Sequence, residues 1–160
     1  MITIAVSAII MSMAVPSFTN MVLNGRLTSS SEELVKGLQL TRSEAMRRGA
    51  VANICASNGG TSCNGTSWNQ GWIVWVDVNG DNAVAAGEIQ RVFGALASTQ
   101  QITSVESVLT IGYAANGFLN GIAAGAQRSF TVCDNRVGEA GRSVLVRAFG
   151  HISTTAMNCT

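Results

Sequence analysis

Four cysteines, Cys55, Cys63, Cys133 and Cys159, are the residues of this 160-residue chain best suited to covalent chemistry. They include no Cys-x-x-Cys pair, and the only histidine is His151, so the close-spaced ligand pairs of a structural zinc site are missing from the sequence. An even number of cysteines is typical of disulfides formed in an oxidising compartment. Of the three pairings that four cysteines allow, Cys55–Cys63 with Cys133–Cys159 closes the shortest loops, and we predict this pairing.

A group of oxygen ligands is the second candidate for chemistry. Asp77, Asn79 and Asp81 alternate along the chain, and Glu88 follows eleven residues after Asp77. This spacing is similar to that of an EF-hand calcium loop. However, Asn82 stands where such a loop needs glycine, and the flanking segments have the pattern of strands. The sequence therefore favours a solvated turn between two strands over a calcium site, and we predict no metal.

Arg136, Arg142 and Arg147 form a third candidate group, because clustered arginines can bind the phosphates of DNA. The net charge of the whole chain is only +1, and Asp134 and Glu139 lie among these arginines. On a regular strand Arg142 and Arg147 would point to opposite faces. Such a segment would neutralise about two or three phosphates, against the roughly 6–10 contacts of a strong binder. We therefore expect weak, salt-sensitive DNA binding at most.

The sequence contains no evident nucleophile paired with a base. His151 has no acidic or cysteine partner nearby in sequence, and Cys55 is accounted for by a disulfide. Trp68, Trp72 and Trp75 could stack on nucleotide bases. Trp72 and Trp75, however, would face opposite sides of a strand, which places at least one of them in the core. We expect no catalytic residue, no cofactor and no enzymatic activity.

The elements that must position these residues begin with an apolar run. Residues 2–15 carry no charge, and as a helix they would span roughly 21 Å. A bilayer core needs about 20 residues, and no basic segment precedes the run as in a secretory signal. We expect a helix whose apolar side lies in a membrane or a packed filament, with a buried core helix as the alternative. The positions predicted to face the membrane or the filament are Ile2, Ile4, Val6, Ile9, Ile10, Val15 and Phe18.

A polar, amphipathic segment follows Pro16, which removes a backbone donor and predicts a helix kink. Its apolar residues are Phe18, Val22, Leu27, Leu34, Leu38 and Ala45. The later spacings make one helical stripe. Ser30-x-x-Glu33 has the pattern of a capping box, which also allows a helix break near Ser29. Two arginines followed by glycine predict that the helix ends at Arg48.

From residue 50 the hydrophobic period changes to two. Six segments rich in β-branched or aromatic residues are predicted strands: Ala50–Cys55, Trp72–Asp77, Glu88–Phe93, Val108–Ala114, Arg128–Cys133 and Arg142–Phe149. Thr99–Ser107 and Asn120–Gln127 are predicted connections. The order of elements predicts an α+β fold, with a long N-terminal hydrophobic and amphipathic helix packed on an antiparallel β head. We divide the chain into a helix at 1–48, with a membrane or filament-core part at 1–24 and a head-packed part at 25–48, and a β-rich head at 49–160.

Several motifs resemble one family. Ile2–Phe18, with Pro16, is similar to the first helix of type IV pilins and type II secretion pseudopilins. Leu38-Gln-Leu-Thr-Arg-Ser-Glu-Ala45, followed by Arg47-Arg48-Gly49, resembles the LxxARSEAxxRG signature of the GspH/FimT branch. Further matches are Ile54-Cys-Ala-Ser57, Cys63, Gly71-Trp-Ile-Val-Trp-Val-Asp77, Ala114-Ala-Asn-Gly117 and Cys133-Asp134. The resemblance covers nearly the whole chain.

The chain departs from this family at both ends. The family's basic leader, Gly-Phe cleavage site and early glutamate are not in the sequence, so we expect it to start a few residues inside the mature protein. Some FimT-like members carry a GRxR motif near the C-terminus that is linked to DNA binding. The matching residues here are Gly150-His-Ile-Ser153, which lack both arginines.

The resemblance implies a minor pilin or pseudopilin, which is a structural or priming subunit of a type IV pilus or a type II secretion pseudopilus. The implied partners are other minor and major pilins or pseudopilins, contacted through the N-terminal helix. The implied location is the inner membrane, crossed once with the head in the periplasm, and later the filament. The alternative is a DNA-uptake subunit that binds DNA through Arg136, Arg142 and Arg147, and we do not favour it.

Overall fold

The computed structural model describes residues 2–136, 138 and 140–159, with side-chain surroundings from residue 18 onward except at residue 140. A helix, α1, spans Ile2–Arg48. The strands that follow it in the described residues are β1 (Val51–Ala56), β2 (Trp72–Asp77), β3 (Ile89–Phe93), β4 (Gln100–Ser104), β5 (Thr110–Tyr113), β6 (Gln127–Asp134), β7 (Ala140–Arg147) and β8 (Ile152–Asn158). A short 3-10 helix at Trp68–Gln70 precedes β2.

Helix α1 is unbroken over 47 residues and ends at Arg48, as the sequence predicts. The alternative of a break near Ser29 is wrong. Ser30 lies inside the helix, where it is buried against the head and its hydroxyl donates a hydrogen bond to Gln100 Oε1 at 3.0 Å. Its side chain is thus satisfied by tertiary contact and has no need to cap a helix start. The backbone also stays helical through Pro16, and a kink there stays a prediction.

The head consists of two four-stranded antiparallel sheets with strand orders β3-β2-β1-β5 and β4-β6-β7-β8. The C-terminal part of α1 packs on strands of both sheets. This arrangement confirms the predicted α+β fold.

Two strands were not predicted. Thr99–Ser107, which the sequence predicts to be a connection, contains β4, whose inward-facing residues include Gln100 and Ser104. These buried positions are polar, so the apolar–polar alternation of a strand is missing from the sequence. Gln100 can be buried because it accepts a hydrogen bond from Ser30 of the helix. The other missed strand, β8, lies at a sheet edge and is largely exposed, so few of its positions need to be apolar.

The core lies between α1 and the inner faces of the two sheets. The predicted helical stripe supplies Leu27, Leu34, Leu38 and Ala45, which are at most 1% exposed. Two aromatic residues of the head, Trp68 and Trp72, are buried in the same core. Trp75 lies on the opposite face of its sheet, in a small cluster with Cys55 and Ile73. All three tryptophans are therefore buried, which leaves none to stack on a nucleotide base.

The helix approaches the head closely at Gly37. A Cβ atom at this position would lie 2.9 Å from Ile54 Cδ1 and 3.0 Å from Trp72 Nε1. The helix can therefore lie directly on the indole ring only because this residue has no side chain.

Both predicted disulfides are present in the structure. Cys55–Cys63 ties the loop after β1 back to that strand, and Cys133–Cys159 joins the end of β6 to the residue after β8. The second disulfide secures the C-terminal strand to the middle of its sheet.

We predict opposite effects of one substitution at two glycines of α1. Gly37→Ala should destabilise the protein, because overpacking of about 1–3 kcal/mol exceeds the gain in helix propensity of about 1 kcal/mol. Gly25→Ala is the matched control, since a Cβ there meets nothing within 4 Å, and it should stabilise by up to about 1 kcal/mol. Urea unfolding of the three proteins measures both changes. A Gly37→Ala protein as stable as Gly25→Ala would contradict the close helix–sheet contact.

We also predict that the two disulfides contribute unequally to stability. Loop-closure entropy gives about 3.5 kcal/mol for the 26-residue separation of Cys133–Cys159 and about 2.5 kcal/mol for the 8-residue separation of Cys55–Cys63. Paired Cys→Ala variants, compared with the wild type by denaturant unfolding with and without reductant, measure each term. Peptide mapping without reductant checks the pairing, and crossed pairs or free thiols would contradict it.

Candidate functional site

The start of the described side chains on α1 is an uncovered apolar surface. Phe18, Met21 and Val22 are 67%, 74% and 39% exposed, whereas Leu27, little more than one turn later, is 1% exposed. The head therefore covers the helix only from about residue 27 onward. Adjacent exposed apolar side chains of this size are typical of a surface that contacts another protein or a membrane.

The other positions predicted for this surface, namely Ile2, Ile4, Val6, Ile9, Ile10 and Val15, lie outside the residues whose side chains are described. Pro16 lies there too. Within the described part of the chain, no helix combines the length and the apolar character needed to cross a bilayer.

Arg136 clamps the point where α1 leaves the head. Its guanidinium donates to Asn24 Oδ1 at 2.8 Å and to Asn20 Oδ1 at 3.3 Å on the helix, and to Asp134 Oδ2 at 2.7 Å on the head. The Asp134 side chain is 2% exposed and also accepts the Arg136 backbone amide at 3.0 Å. The loop after β6 thus holds the helix through one charged side chain. We name these four residues the neck cluster.

Burial and charge compete at Asp134. Burial acts to raise its pKa, but the hydrogen bonds and positive charge of Arg136 together outweigh burial, so the pKa lies below its ordinary value. Asp134 therefore stays ionised in the folded protein and keeps the clamp charged.

Arg42 performs the corresponding role at the opposite end of the helix. Its Nε donates to Gly117 O at 3.0 Å and its Nη2 to Phe149 O at 3.3 Å. A Cβ at Gly150 would lie 2.6 Å from Arg42 Nε, so this turn can approach the guanidinium only as glycine. Sequence reasoning missed this contact. The sequence features that could have indicated it are the position of Arg42 in the Leu38–Ala45 motif and the turn glycines Gly117 and Gly150.

The four residues predicted as a weak calcium candidate lie in and beside one turn. The carboxylates of two of them accept hydrogen bonds from backbone amides of this turn. Asp77 accepts the amides of Gly80 and Asn82 at 2.8 and 3.1 Å. Glu88 accepts those of Val78 and Ala85 at 3.0 and 3.1 Å. Both side chains belong to buried residues, so each stabilises the turn between β2 and β3.

Asn79 and Asp81 complete this turn with local bonds of their own: Asp81 N donates to Asn79 Oδ1 at 3.0 Å. Within the described residues, no group of three or more histidine, cysteine or acidic side chains is placed to hold a metal ion. The hydrogen bonds of these four residues shape the turn between β2 and β3, and two of its carboxylates belong to buried residues.

The three arginines of the DNA hypothesis are not brought to one surface. Arg136 belongs to the neck cluster, and Arg142 Nη2 donates to Thr28 Oγ1 of α1 at 3.2 Å. The strand β7 pairs regularly on both sides, so Arg147 points away from Arg142, to the outer face of the sheet. Two of the three guanidiniums are thus used to hold the helix, and Arg147 alone is exposed.

The fold places one long helix on two antiparallel sheets and leaves the apolar residues around Phe18 and Met21 uncovered. The protein therefore belongs to the class that combines a β-rich head with an extended helix. Residues 30–150 match the family described as type II transport protein GspH, and the chain belongs to this family.

The fold is similar to solved structures of a minor pilin and a minor pseudopilin. The type IV minor pilin FimU of Pseudomonas aeruginosa (strain PAO1) is similar at a TM-score of 0.67 and 25% identity, over 86% of this chain and 97% of FimU. A second crystal form of FimU has a TM-score of 0.64. The minor pseudopilin EpsH from the type 2 secretion system of Vibrio cholerae shares the fold, at a TM-score of 0.57 and 10% identity, over 82% of this chain and 97% of EpsH. No curated protein sequence matches the chain. The predicted family resemblance is confirmed.

The neck cluster predicts a specific pH dependence of stability. Because the pKa of Asp134 is lowered by folding, its contribution is complete above the ordinary aspartate pKa of about 3.9 and disappears as the pH falls through the lower folded value. Asp134→Asn should therefore cost about 1–3 kcal/mol at pH 7, and this difference from the wild type should shrink below about pH 4.

Urea unfolding of both proteins between neutral and acidic pH measures the difference. Glu32→Gln is the control, because Glu32 and Lys36 form an exposed pair at 3.7 Å, which contributes little. A difference between Asp134→Asn and the wild type that does not change with pH would contradict the charged clamp.

Proposed function

We propose that the chain is a minor pilin or pseudopilin, a structural or priming subunit of a filament of the type IV pilus or type II secretion class. The observation that carries the proposal is the two-part helix α1. One part is anchored in the head by Leu27, Leu34 and Leu38, and the other leaves Phe18 and Met21 uncovered. Membership of the GspH family and the likeness to FimU support it.

The uncovered part has a physical role in two environments. Before assembly the apolar side chains would lie in the inner membrane, with the head in the periplasm. In the filament the same side chains would pack against helices of other pilins or pseudopilins. Lipid tails and apolar side chains offer similar surroundings, so one surface serves both states without refolding.

The division of the chain follows from this role. Residues 1–24 would form the membrane and filament-core part, residues 25–48 the part packed on the head, and residues 49–160 the head that faces outward. The sharp change in exposure between Val22 and Leu27 supports a boundary there. The neck cluster at the same place would transmit the orientation of the helix to the head.

The work of such a subunit is assembly rather than catalysis. Its polar clusters support this, since the Asp77 and Glu88 carboxylates hold a turn and the Arg42 and Arg136 guanidiniums hold the helix. DNA uptake is less well supported, because Arg142 and Arg147 lie on opposite faces of β7.

We predict that a charge on the uncovered surface blocks assembly without unfolding the head. Met21→Glu would place a carboxylate among apolar helices or in the membrane, at a cost of a few kcal/mol, and should reduce incorporation at least tenfold. Ser29→Glu is the matched control, because Ser29 is exposed on the same helix within the head-packed part, and it should assemble normally. The measurement is the fraction of tagged subunit recovered in sheared filaments or isolated envelope, in a host that builds this class of filament.

A deletion tests the same division independently. The head without residues 1–24 should be soluble and fold with both disulfides intact. An insoluble, unfolded head after this deletion would show that the apolar segment belongs to the core. In the assembly experiment, normal incorporation of Met21→Glu would refute the proposed helix contact.

A further inference from the structure

The outer edge of β8 carries backbone groups without partners. Arg147 N donates to His151 O at 2.9 Å, which sets the alternation of hydrogen bonds along the β7–β8 pair. Ser153 and Thr155 therefore turn their amides and carbonyls toward β7, whereas Ile152, Thr154 and Ala156 turn theirs away from the sheet. Among the described residues, none of these outward backbone groups has a hydrogen-bond partner.

The other sheet edges are protected in different ways. In β4, Ile102 N donates to Asn69 Oδ1 at 2.7 Å, which blocks strand addition. Beside β5, Asn120 N donates to Gly112 O at 2.8 Å. Strand β3 is short, carries Arg91 and pairs through a bulge. Charges, bulges and covering loops are the usual protection of edge strands.

Strand β8 has none of these protections. Its seven residues, Ile152–Asn158, include no charge and no proline. The helix also leaves its inner side accessible: a groove of about 250 Å³ lies between the start of β8 and α1, lined by residues that include Ile152, Met46 and Ser43. The groove is also lined by Gln39 and Arg42, and Ile152 is the one β8 residue in its lining. A strand added to β8 would therefore place the side chain opposite Ile152 beside this groove.

We propose that β8 is a strand-addition site for an extended segment of another protein, with a small apolar side chain beside the groove, opposite Ile152, and a carboxylate facing Arg147. Main-chain hydrogen bonds to Ile152, Thr154 and Ala156 would supply affinity, and the groove would supply selectivity. In an antiparallel arrangement the C-terminal end of the added strand lies beside Ile152.

The carboxylate is inferred from charge. Arg147 is exposed on the outer face and makes no ion pair among the described residues. The added strand would lie two strand spacings from β7, or roughly 10 Å, which an arginine and a glutamate side chain can bridge between them. A second copy of this chain does not fit, because its own β8 offers no carboxylate and its β4 edge is blocked by Asn69.

The probe for this site is the peptide acetyl-Thr-Val-Thr-Ala-Thr-Val-Glu-amide, which places Val, Ala and Val on the inner side of the strand, the last Val beside the groove, and Glu toward Arg147. Amide hydrogen exchange of the full chain in detergent micelles is measured by NMR with and without peptide at millimolar concentration. The amides of Ile152, Thr154 and Ala156 should exchange fast in the free protein and slow down with peptide. The amides of Ser153 and Thr155, already bonded to β7, should change little.

Two substitutions make the test specific. Thr154→Pro removes only an outward donor and should weaken peptide binding at least tenfold, while Thr154→Val, which keeps the donor, should bind as the wild type does. Arg147→Gln should weaken the Glu peptide about 2- to 5-fold, as expected of an exposed ion pair, and leave a peptide with Gln in place of Glu unaffected.

Three results would overturn the proposal. They are unchanged exchange of the three outward amides with peptide present, equal binding by Thr154→Pro and Thr154→Val, and a concentration-dependent dimer of the free protein that Thr154→Pro abolishes. None of these depends on filament assembly, so the site can fail while the proposed function stands.

Discussion

The close contact between α1 and the head determines the rest of the structure. Most of the stability of a helix in a folded protein comes from the packing of one apolar face, and from Leu27 onward α1 packs its apolar stripe on both sheets. Gly37 allows this close contact, because a Cβ there would lie 2.9 Å from Ile54 Cδ1 and 3.0 Å from Trp72 Nε1. Strands of both sheets pack on this one helix, so the helix fixes the position of each sheet in the head.

Arginine side chains hold this contact at its two ends. Arg42 binds two turn carbonyls near the C-terminal end of the helix. Arg136 binds two helix asparagines and Asp134 at the other end of the contact, where the uncovered part of the helix projects from the head. A planar guanidinium carries five donors in a rigid fork, so one arginine can bind groups of two chain segments at once. The arginines that look in sequence like a nucleic-acid surface are therefore largely used by the fold.

Much of the architecture was predictable, and the failures have physical causes. The helical stripe, the period-two segments and the cysteine spacing are local patterns, and they predicted α1, six strands and both disulfides. β4 was missed because Gln100 faces inward, and its polarity is explained only by Ser30, which lies 70 residues away in sequence. The roles of Arg42 and Arg136 were missed for the same reason, since the turn carbonyls that Arg42 binds and the helix asparagines that Arg136 binds lie 75 or more residues away in sequence. Exposed surfaces such as β8 leave even weaker signals.

The two surfaces that break the usual rules of a soluble monomer lie on different parts of the molecule. Phe18 and Met21 expose apolar area that burial would stabilise, and the uncharged edge of β8 invites pairing with other chains. Other parts of the same helix and the same sheet follow the rules closely: Leu27 is buried, and the opposite edge of the sheet, β4, is covered by Asn69. Three of the four sheet edges are protected, and α1 packs on the head from Leu27 onward. The exposure is therefore localised rather than general, and local departures of this kind are the places where a fold meets its partners.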